Sequence, residues 1–428
     1  MKNTETLVIV HLSATAVYVV IGNVVSVKDI QIMGIGQVKN SDFYQGQIKH
    51  RERLKSAIKK AIQEAEDMAN CRVHSVWLTL STPELLSKNS MGEVQTTDGE
   101  VRIQDMVSAL TRAKSQDLPS NYYLMHCCQQ GIYIDEQESM VDDAIEMLAE
   151  KICVMYHMMM LPVASRQNIQ RLLQSCDVGV DHVVFDAVTS AEYCLSLDER
   201  QQGVCLIDIG ASTSSVCVYK ENKLIFTHCL ASGSHEVTMD ISAELSISMI
   251  EAEELKKTHG TVDVGSVDPS AFFSYPRYGN SEVLNISNYK LAQIIEARYI
   301  SILDDIVQRL RQEGLFDFID RGIVFTGGGS DMRGMVAFSK KFLKTPVTLA
   351  KPHPAIKVYK RINDQQIEDY LQAQLANRAY QTAFGTLLYS QSEQFRHSEQ
   401  SEPEAIARAG GLFSGIKRGF GSMFKKIM

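Results

Sequence analysis

No two of the nine cysteines stand in a CxxC pair: Cys71, Cys127, Cys128, Cys153, Cys176, Cys194, Cys205, Cys217 and Cys229 are scattered. An odd, dispersed set excludes a disulfide framework and a zinc ribbon, and it points to a reducing cytoplasm. Excess positive charge is missing as well. The 51 Asp and Glu outnumber 43 Lys and Arg, for a formal net charge of -8. Such a balance excludes general binding to nucleic acid, so any basic function must be local. An unbroken apolar run long enough to cross a bilayer is also absent. The nearest, Leu7–Val27, is interrupted by His11, Ser13, Thr15, Gly22 and Asn23, and no basic cluster precedes it. Its two β-rich halves meet at Gly22-Asn23 and predict a strand hairpin there. What is present is 45% hydrophobic residues over 428 positions, enough for substantial cores and two or more domains.

Downstream, RLKSAIKKAIQEAEDMANC places Leu54, Ile58, Ala61, Ile62, Ala65, Met68 and Ala69 at helical spacing, and SVWLTLST reads as a strand. Between about Glu84 and Leu161 the pattern is less regular. Strand-like MGEVQ and GIYID flank a helical VSALTRAKS, which suggests a smaller inserted domain. CVMYHMMML is a buried strand or a short core helix whose methionines are packing residues. NIQRLLQSC is helical, and VDHVVFDAVTSAEYCL is a strand followed by a helix. From there the architecture begins again: GVCLIDIGASTSSVCVYKENKLIFTHCL holds two alternating strands about a glycine-containing turn, then a third strand. Helical EAEELKKTHG and ARYISILDDIVQRLRQEG lead into the strand of GIVFTGGGS. Two related α/β halves result, each opening with a hairpin.

The basic function is localised at Gly411–Met428, GLFSGIKRGFGSMFKKIM. On a helix, Leu412, Phe413, Ile416, Phe420, Met423, Phe424 and Ile427 fall within an arc of roughly 120°. Lys417, Arg418, Lys425 and Lys426 lie outside it or at its edge. A last helix docked on the core is the plain alternative to a helix lying in a membrane interface. The preceding stretch, Ser390–Gly410, is polar and aperiodic, as a flexible tether to an anchor requires. Gly415, Gly419 and Gly421 each cost a helix about 1 kcal/mol. Seven apolar side chains worth about 1.5–3 kcal/mol each on full burial, and cations worth about 1 kcal/mol each at an anionic surface, exceed that. The helix is therefore expected to form on anionic phospholipid and not before.

Two glycine turns carry the chemistry of a nucleotide site. In Asp208-Ile-Gly210-Ala-Ser212-Thr213 a glycine lets backbone N–H groups approach a phosphate, and Ser212 and Thr213 add hydroxyl donors. Asp208 is a candidate ligand for a hydrated Mg²⁺. Taken alone, this motif also serves a tight hairpin for steric reasons only. Gly327, Gly328 and Gly329 follow the strand Ile323–Phe325 and permit close approach by a flat ligand. The pattern is not GxGxxG and no Walker lysine follows, so Rossmann and P-loop labels do not apply. Glu253 and Lys256 share a helix face at i,i+3, where a solvated ion pair is the default.

The order hairpin, DIGxST, helices, TGGGS resembles the actin/heat-shock-70/sugar-kinase superfamily. Within it the chain is similar to the FtsA family of bacterial cell-division proteins, through AIQEAEDMANCRVHSVWLTLS, QQGIYID, FDAVTSAEYCL, GVCLIDIGAST, EAEELKKTHG, LAQIIEARY and GIVFTGGGSDMRGM, then the linker and basic end. The resemblance implies an α/β, two-lobed actin-like (ribonuclease-H-like) fold with an inserted subdomain in the first lobe and a C-terminal amphipathic helix. Residues 1–83 with 162–200 would form the first lobe core, 84–161 the insertion, 201–235 with 310–389 the second lobe core, and 236–309 its smaller subdomain. Residues 390–410 would be the linker and 411–428 the membrane-targeting helix.

It further implies a peripheral protein at the cytoplasmic face of the bacterial inner membrane, at the division site. There it would tie filaments of FtsZ to the membrane, polymerise with itself, and help recruit later divisome membrane proteins. ATP with Mg²⁺ would bind between the lobes. Asp208, Gly210 and Thr213 match the second phosphate motif, Gly327–Gly329 the adenosine motif, and Glu253 and Lys256 the residues that reach the nucleoside. Lys290 and Arg298 would pair with an acidic FtsZ tail peptide. The departure is His11-Leu-Ser13-Ala-Thr15, where the family has an acid and then Gly-Thr. Ser13 and Thr15 keep hydroxyl donors and His11 could meet phosphate, but weak or no hydrolysis is expected. A PilM-like pilus-assembly homologue shares much of the fold and is separated by the tethered basic helix. A superfamily kinase would need the carboxylate that the first turn lacks.

Overall fold

Runs of buried residues open the chain in a computed structural model that describes residues 5–276, 283–361, 364–392 and 395. Strands β1 (Glu5–Leu12), β2 (Ala16–Ser26) and β3 (Asp29–Lys39) pair antiparallel in sequence order. The first turn falls after Leu12, and Gly22-Asn23 lie inside β2, which corrects the expected hairpin position. Almost all of β2 is buried, so neither face shows the alternation that marks a half-exposed strand. Gly22 is there for packing: a Cβ on it would meet Leu387 Cδ1 at 2.5 Å.

A short hairpin of β4 (Phe43–Tyr44) and β5 (Gln47–Ile48) precedes α1 (Arg51–Ala69), and β6 (Ser75–Leu80) then joins β1 in parallel. Helix α1 lies unusually close to β3. A Cβ on Gly34 would come within 2.4 Å of the Ala65 carbonyl, and one on Gly36 within 1.9 Å of the Ala61 carbonyl. Small residues on both surfaces are what let backbone approach backbone.

Next come β7 (Leu86–Gln95), α2 (Ile103–Asp117), β8 (Tyr122–Ile134) and β9 (Lys151–Pro162), with the three strands ordered β7-β9-β8. CVMYHMMML is thus a strand, and Met158, Met159 and Met160 are fully buried. Two compact units follow from the chain's internal contacts. Lys88–Pro119 and His126–Met158 belong to one, and Met1–Ser87, Ser120–Met125 and Met159–Tyr389 form the other. Inside the smaller unit, Gly92 lets the Ala109 carbonyl of α2 close on the sheet, and His157 Nδ1 lies 2.7 Å from Asn89 Oδ1.

The larger unit continues with α3 (Val163–Gln174), β10 (Gly179–Phe185), α4 (Asp186–Cys194) and α5 (Leu197–Gln202). Strands β11 (Val204–Ile209), β12 (Ser214–Lys220) and β13 (Lys223–Leu230) repeat the antiparallel opening. Helices α6 (Ser234–Leu245) and α7 (Met249–Thr258), the hairpin β14 (Phe272–Pro276) and β15 (Val283–Ser287), and α8 (Asn288–Gln312) follow. Then come β16 (Ile323–Thr326), α9 (Met335–Leu343), β17 (Val347–Leu349), β18 (Ile356–Val358), α10 (Gln365–Gln374) and α11 (Gln381–Tyr389).

One sheet is ordered β10-β6-β1-β2-β3-β18 and the other β13-β12-β11-β16-β17. Apart from β18, the two orders are the same, so the duplicated pattern of the sequence is a duplicated topology. Strand β18 comes from late in the chain yet pairs in parallel with β3 of the first sheet. Each sheet has its own apolar core, one against α1 and α3 and the other around α8. Among the described residues, no helix is long and apolar enough to cross a membrane.

The α1–β3 contact makes a direct test. Gly36→Ala should cost about 3 kcal/mol of unfolding free energy in guanidinium titration, at the upper end of ordinary overpacking because a backbone carbonyl cannot rotate away. A loss below about 0.5 kcal/mol, within the range of inert surface substitutions, would mean that the helix stands further off than described.

Candidate functional site

The equivalent ends of the two sheets bring two turns together. His11, Ser13 and Ala14 from the first, and Asp208, Gly210, Ser212 and Thr213 from the second, line a cavity of about 40 Å³ with Ser81, Asp186 and Thr382. That is room for a few waters, each needing roughly 10–15 Å³ of such space. Thr15 is exposed and does not line it; its hydroxyl lies 3.3 Å from Ser13 Oγ.

Two carboxyls share this cavity. Asp208 is the next-to-last residue of β11, and its Oδ2 accepts a hydrogen bond from Ser190 Oγ of α4 at 2.8 Å. Ser190 in turn lies 3.0 Å from Thr382 Oγ1 of α11. Asp186 opens α4, is 6% exposed, and leaves Oδ1 with no hydrogen-bond partner. Burial raises both carboxyl pKa values, and the neighbouring Asp208 charge raises that of Asp186 further. The sequence reading missed Asp186. Its segment, FDAVTSAEYCL, was legible only as a strand running into a helix, where an acid in the first turn is an ordinary capping residue.

His11 stands on β1 with Nδ1 3.1 Å from Thr79 Oγ1 of β6. Burial lowers its pKa to about 4, and a hydrogen bond to the Thr79 backbone opposes this only in part. The imidazole is therefore neutral near pH 7, where the expected acid would have carried a negative charge. Ser212 and Thr213 both line the cavity, but the first sheet's side of the cleft already engages both. Gln45 N–H donates to Ser212 Oγ at 3.2 Å, and Ser81 Oγ lies 2.7 Å from Thr213 Oγ1. Gln45 and Ser81 carry no local sequence signal for this role, because it arises only when the two turns face each other.

The three glycines after β16 have different duties. Gly327 has φ +80°, and a Cβ there would meet Asp208 Oδ1 at 2.2 Å. One on Gly329 would meet Ile209 Cγ2 at 2.5 Å, whereas one on Gly328 would meet nothing within 4 Å. Gly327 and Gly329 are therefore needed by the fold, and Gly328 alone faces open space. Tyr299 of α8 fixes this turn by donating to the Gly329 carbonyl at 2.6 Å.

Glu253 and Lys256 do pair, at 2.7 Å, but not as a solvated surface pair. Lys256 is 7% exposed and also donates to the Ser234 carbonyl and Thr238 Oγ1 at 2.9 and 2.8 Å. Burial alone would raise the Glu253 carboxyl; the Lys256 charge, together with bonds from Lys256, Thr238 and Lys257, instead holds it at about 2. The pair thus locks α7 to α6. Lys290 and Arg298 are likewise engaged within the chain: Lys290 Nζ meets Glu244 at 3.0 Å, and Arg298 grips Asp240 through two bonds of 2.6 and 2.9 Å. Leu412, Phe413, Ile416, Lys417, Arg418, Phe420, Met423, Phe424, Lys425, Lys426 and Ile427 lie outside the described residues.

The carboxyl pair sets a pH dependence. A carboxyl whose pKa is raised by folding contributes stability below the ordinary carboxylate range, and that contribution is lost as pH rises through the folded value. Asp186→Asn should therefore stabilise the metal-free protein at pH 8 by about 1–3 kcal/mol, the usual cost of an unsatisfied buried polar group. The gain should shrink toward pH 4 in urea unfolding. A gain independent of pH would contradict the placement of the pair.

Comparison with known proteins agrees with this architecture. Residues 205–385 match the family described as cell division protein FtsA, and residues 83–160 match the SHS2 domain inserted in FtsA. The chain is 27% identical over 394 residues to the cell division protein FtsA of Pseudomonas aeruginosa, covering 92% of this chain and 91% of that one. To the FtsA of Escherichia coli K12 it is 27% identical over 427 residues, with 98% of each chain covered. To that of Buchnera aphidicola subsp. Schizaphis graminum it is 29% identical over 359 residues, covering 82% and 85%. Among solved structures, a PilM-PilN type IV pilus biogenesis complex aligns with TM-score 0.60 and 16% identity over 90% of this chain and 98% of the other. MreB5 of Spiroplasma citri bound to ADP aligns with TM-score 0.53 and 11% identity over 91% and 97%. At those identities the two structures establish the actin-like fold alone. The paired family matches span more than half of the chain and the relatives run nearly its full length, so this chain belongs to the FtsA family of actin-like cell-division proteins.

Proposed function

We propose that this protein ties FtsZ filaments to the inner face of the bacterial cytoplasmic membrane at the division site, polymerises in an actin-like way, and helps recruit later divisome membrane proteins. The observation that carries this reading is the near-full-length similarity to FtsA proteins. The tail GLFSGIKRGFGSMFKKIM, with its apolar stripe flanked by cations, supplies the membrane contact. It also favours this reading over a PilM-like pilus role, since the PilM-PilN structure is related at 16% identity, a likeness of fold. The inserted segment 84–161 is the candidate surface for self-assembly or recruitment. Lys290 and Arg298 remain candidates for the FtsZ tail, but each would have to exchange Glu244 or Asp240 for a carboxylate of the peptide.

The cleft residues fit a nucleotide with a divalent cation. The orphan Oδ1 of Asp186 and the carboxyl of Asp208 suit Mg²⁺, which would neutralise the charge that burial disfavours. Gly328 leaves the space that a nucleoside needs. Bound Mg²⁺-ATP would supply a phosphoryl group at this cleft. His11 offers Mg²⁺ an uncharged nitrogen where this cation prefers oxygen ligands, and burial makes it a weak base, so turnover is slow or absent.

Three substitutions separate fold from site. Gly328→Ala should leave thermal stability intact and weaken ATP binding, Gly327→Ala should destabilise the protein itself, and Asp208→Ala should weaken binding more with Mg²⁺ than without it. Calorimetric titration and thermal unfolding read all three. If Gly328→Ala binds ATP like the parent, the nucleoside lies elsewhere.

For the tail, Phe420→Glu or Phe424→Glu should release the protein from vesicles that contain anionic lipid. Replacing Lys425 and Lys426 by Gln should weaken binding and flatten its salt dependence. The isolated peptide should show little helix in buffer and substantial helix with such vesicles. A chain ending at Gly410 that still sediments with them would remove the anchor from this account.

A further inference from the structure

The hairpin β4–β5 is built to reach across the cleft. Its tip is Gln45-Gly46, with φ +49° and +81°, the two left-handed residues of a tight hairpin turn. Glutamine is a poor occupant of that conformation, and such a residue persists only where surrounding contacts hold it. On the first-sheet side the hairpin is anchored. Phe43 is 1% exposed, and a Cβ on Gly46 would strike Thr82 Oγ1 at 2.3 Å.

On the other side it makes three bonds, one to the second sheet's turn, one just after β13 and one to α6. Gln45 N–H donates to Ser212 Oγ at 3.2 Å, Gln45 Nε2 donates to the Ala231 carbonyl at 2.9 Å, and Tyr44 O–H donates to Glu236 Oε1 at 3.1 Å. Glu236 is itself fixed by accepting from Gly233 N–H at 2.7 Å. Ser81, next to Thr82, adds its 2.7 Å contact with Thr213. Phe43 and Gly46 are also walls of the cavity of about 40 Å³, which is too small for two phosphates and a hydrated cation.

We propose that Tyr44, Gln45 and Ser81 form a latch that closes over the second phosphate turn and that must open before a nucleoside polyphosphate can enter. The inference rests on the reading of the cleft as a nucleotide site. The latch holds the two turns together where the first turn has no acid, and it sets how readily ligand enters.

The test uses the full-length chain and two measurements. Amide hydrogen exchange without nucleotide should find the Gln45 N–H protected, and Ser212→Ala should remove that protection. Exchange at the rate of an open loop in the parent protein would overturn the latch. A fluorescent ATP analogue with Mg²⁺ should bind the combined variant Tyr44→Phe, Gln45→Ala, Ser81→Ala about tenfold more tightly, as expected when several modest competing hydrogen bonds are removed. Each single variant should give a smaller gain, which guards against misfolding of the combined one. Equal or weaker binding by the single and combined variants alike, where the parent binds measurably, would overturn the proposal. A protected Gln45 amide in a protein that binds no nucleotide in any variant would support the closed latch while overturning the nucleotide reading.

Discussion

Two carboxyl groups buried side by side are the constraint around which the cleft is organised. Asp208 lies near the end of the first strand of the second sheet, Asp186 begins the helix that leaves the first, and the duplicated topology brings them into one small cavity. A buried charge is costly unless it is paired or held by hydrogen bonds. The surroundings supply hydroxyls, Ser190 beside Asp208 and Thr382 beside Ser190, but no cationic side chain lines the cavity among the described residues. Helices α4 and α11 carry those hydroxyls and cross so closely that a Cβ on Gly385 would lie 1.9 Å from the Thr189 carbonyl. The tight crossing and the carboxyl pair are one feature: small residues permit the approach, and the approach delivers the hydroxyls.

The altered first turn follows from the same geometry. An acid at position 11 would place a third negative group beside a pair that is already under-compensated. His11, neutral and bonded to Thr79, adds no charge there. Its price is chemical, because an uncharged imidazole nitrogen is a poor substitute for a carboxylate oxygen toward Mg²⁺. The proposed role in assembly at a membrane would tolerate that loss, whereas a kinase would not. The bonds from Gln45 to the second turn and from Tyr44 to α6 supply an adhesion across the cleft that owes nothing to the missing acid.

Much of this was legible in the sequence. The second half was clear because GVCLIDIGAST and GIVFTGGGS pair strong strand signals with glycine turns, and they occupy adjacent strands β11 and β16. The first hairpin was misread at its turn because β2 is buried on both faces and hides its period. What stayed hidden depends on contacts distant in the chain. The i,i+3 spacing of Glu253 and Lys256 gives no sign that α6 will bury the lysine. Nothing near Arg298 announces Asp240, and nothing near Asp186 says that Asp208 will be its neighbour. Local patterns set elements and turns; which polar groups lose their water is decided only when the two halves close.

The measurement that bears most directly on this account is the melting temperature of the full-length protein at pH 8 with ATP, with and without Mg²⁺. A ligand at about a hundred times its dissociation constant stabilises the folded state by about 2.7 kcal/mol. The account predicts a clear rise with Mg²⁺-ATP, a smaller one with ATP and chelator, and loss of the difference in Asp208→Asn. An unchanged melting temperature at millimolar Mg²⁺-ATP would contradict the claim that the buried carboxyl pair is there to receive a nucleotide-bound cation.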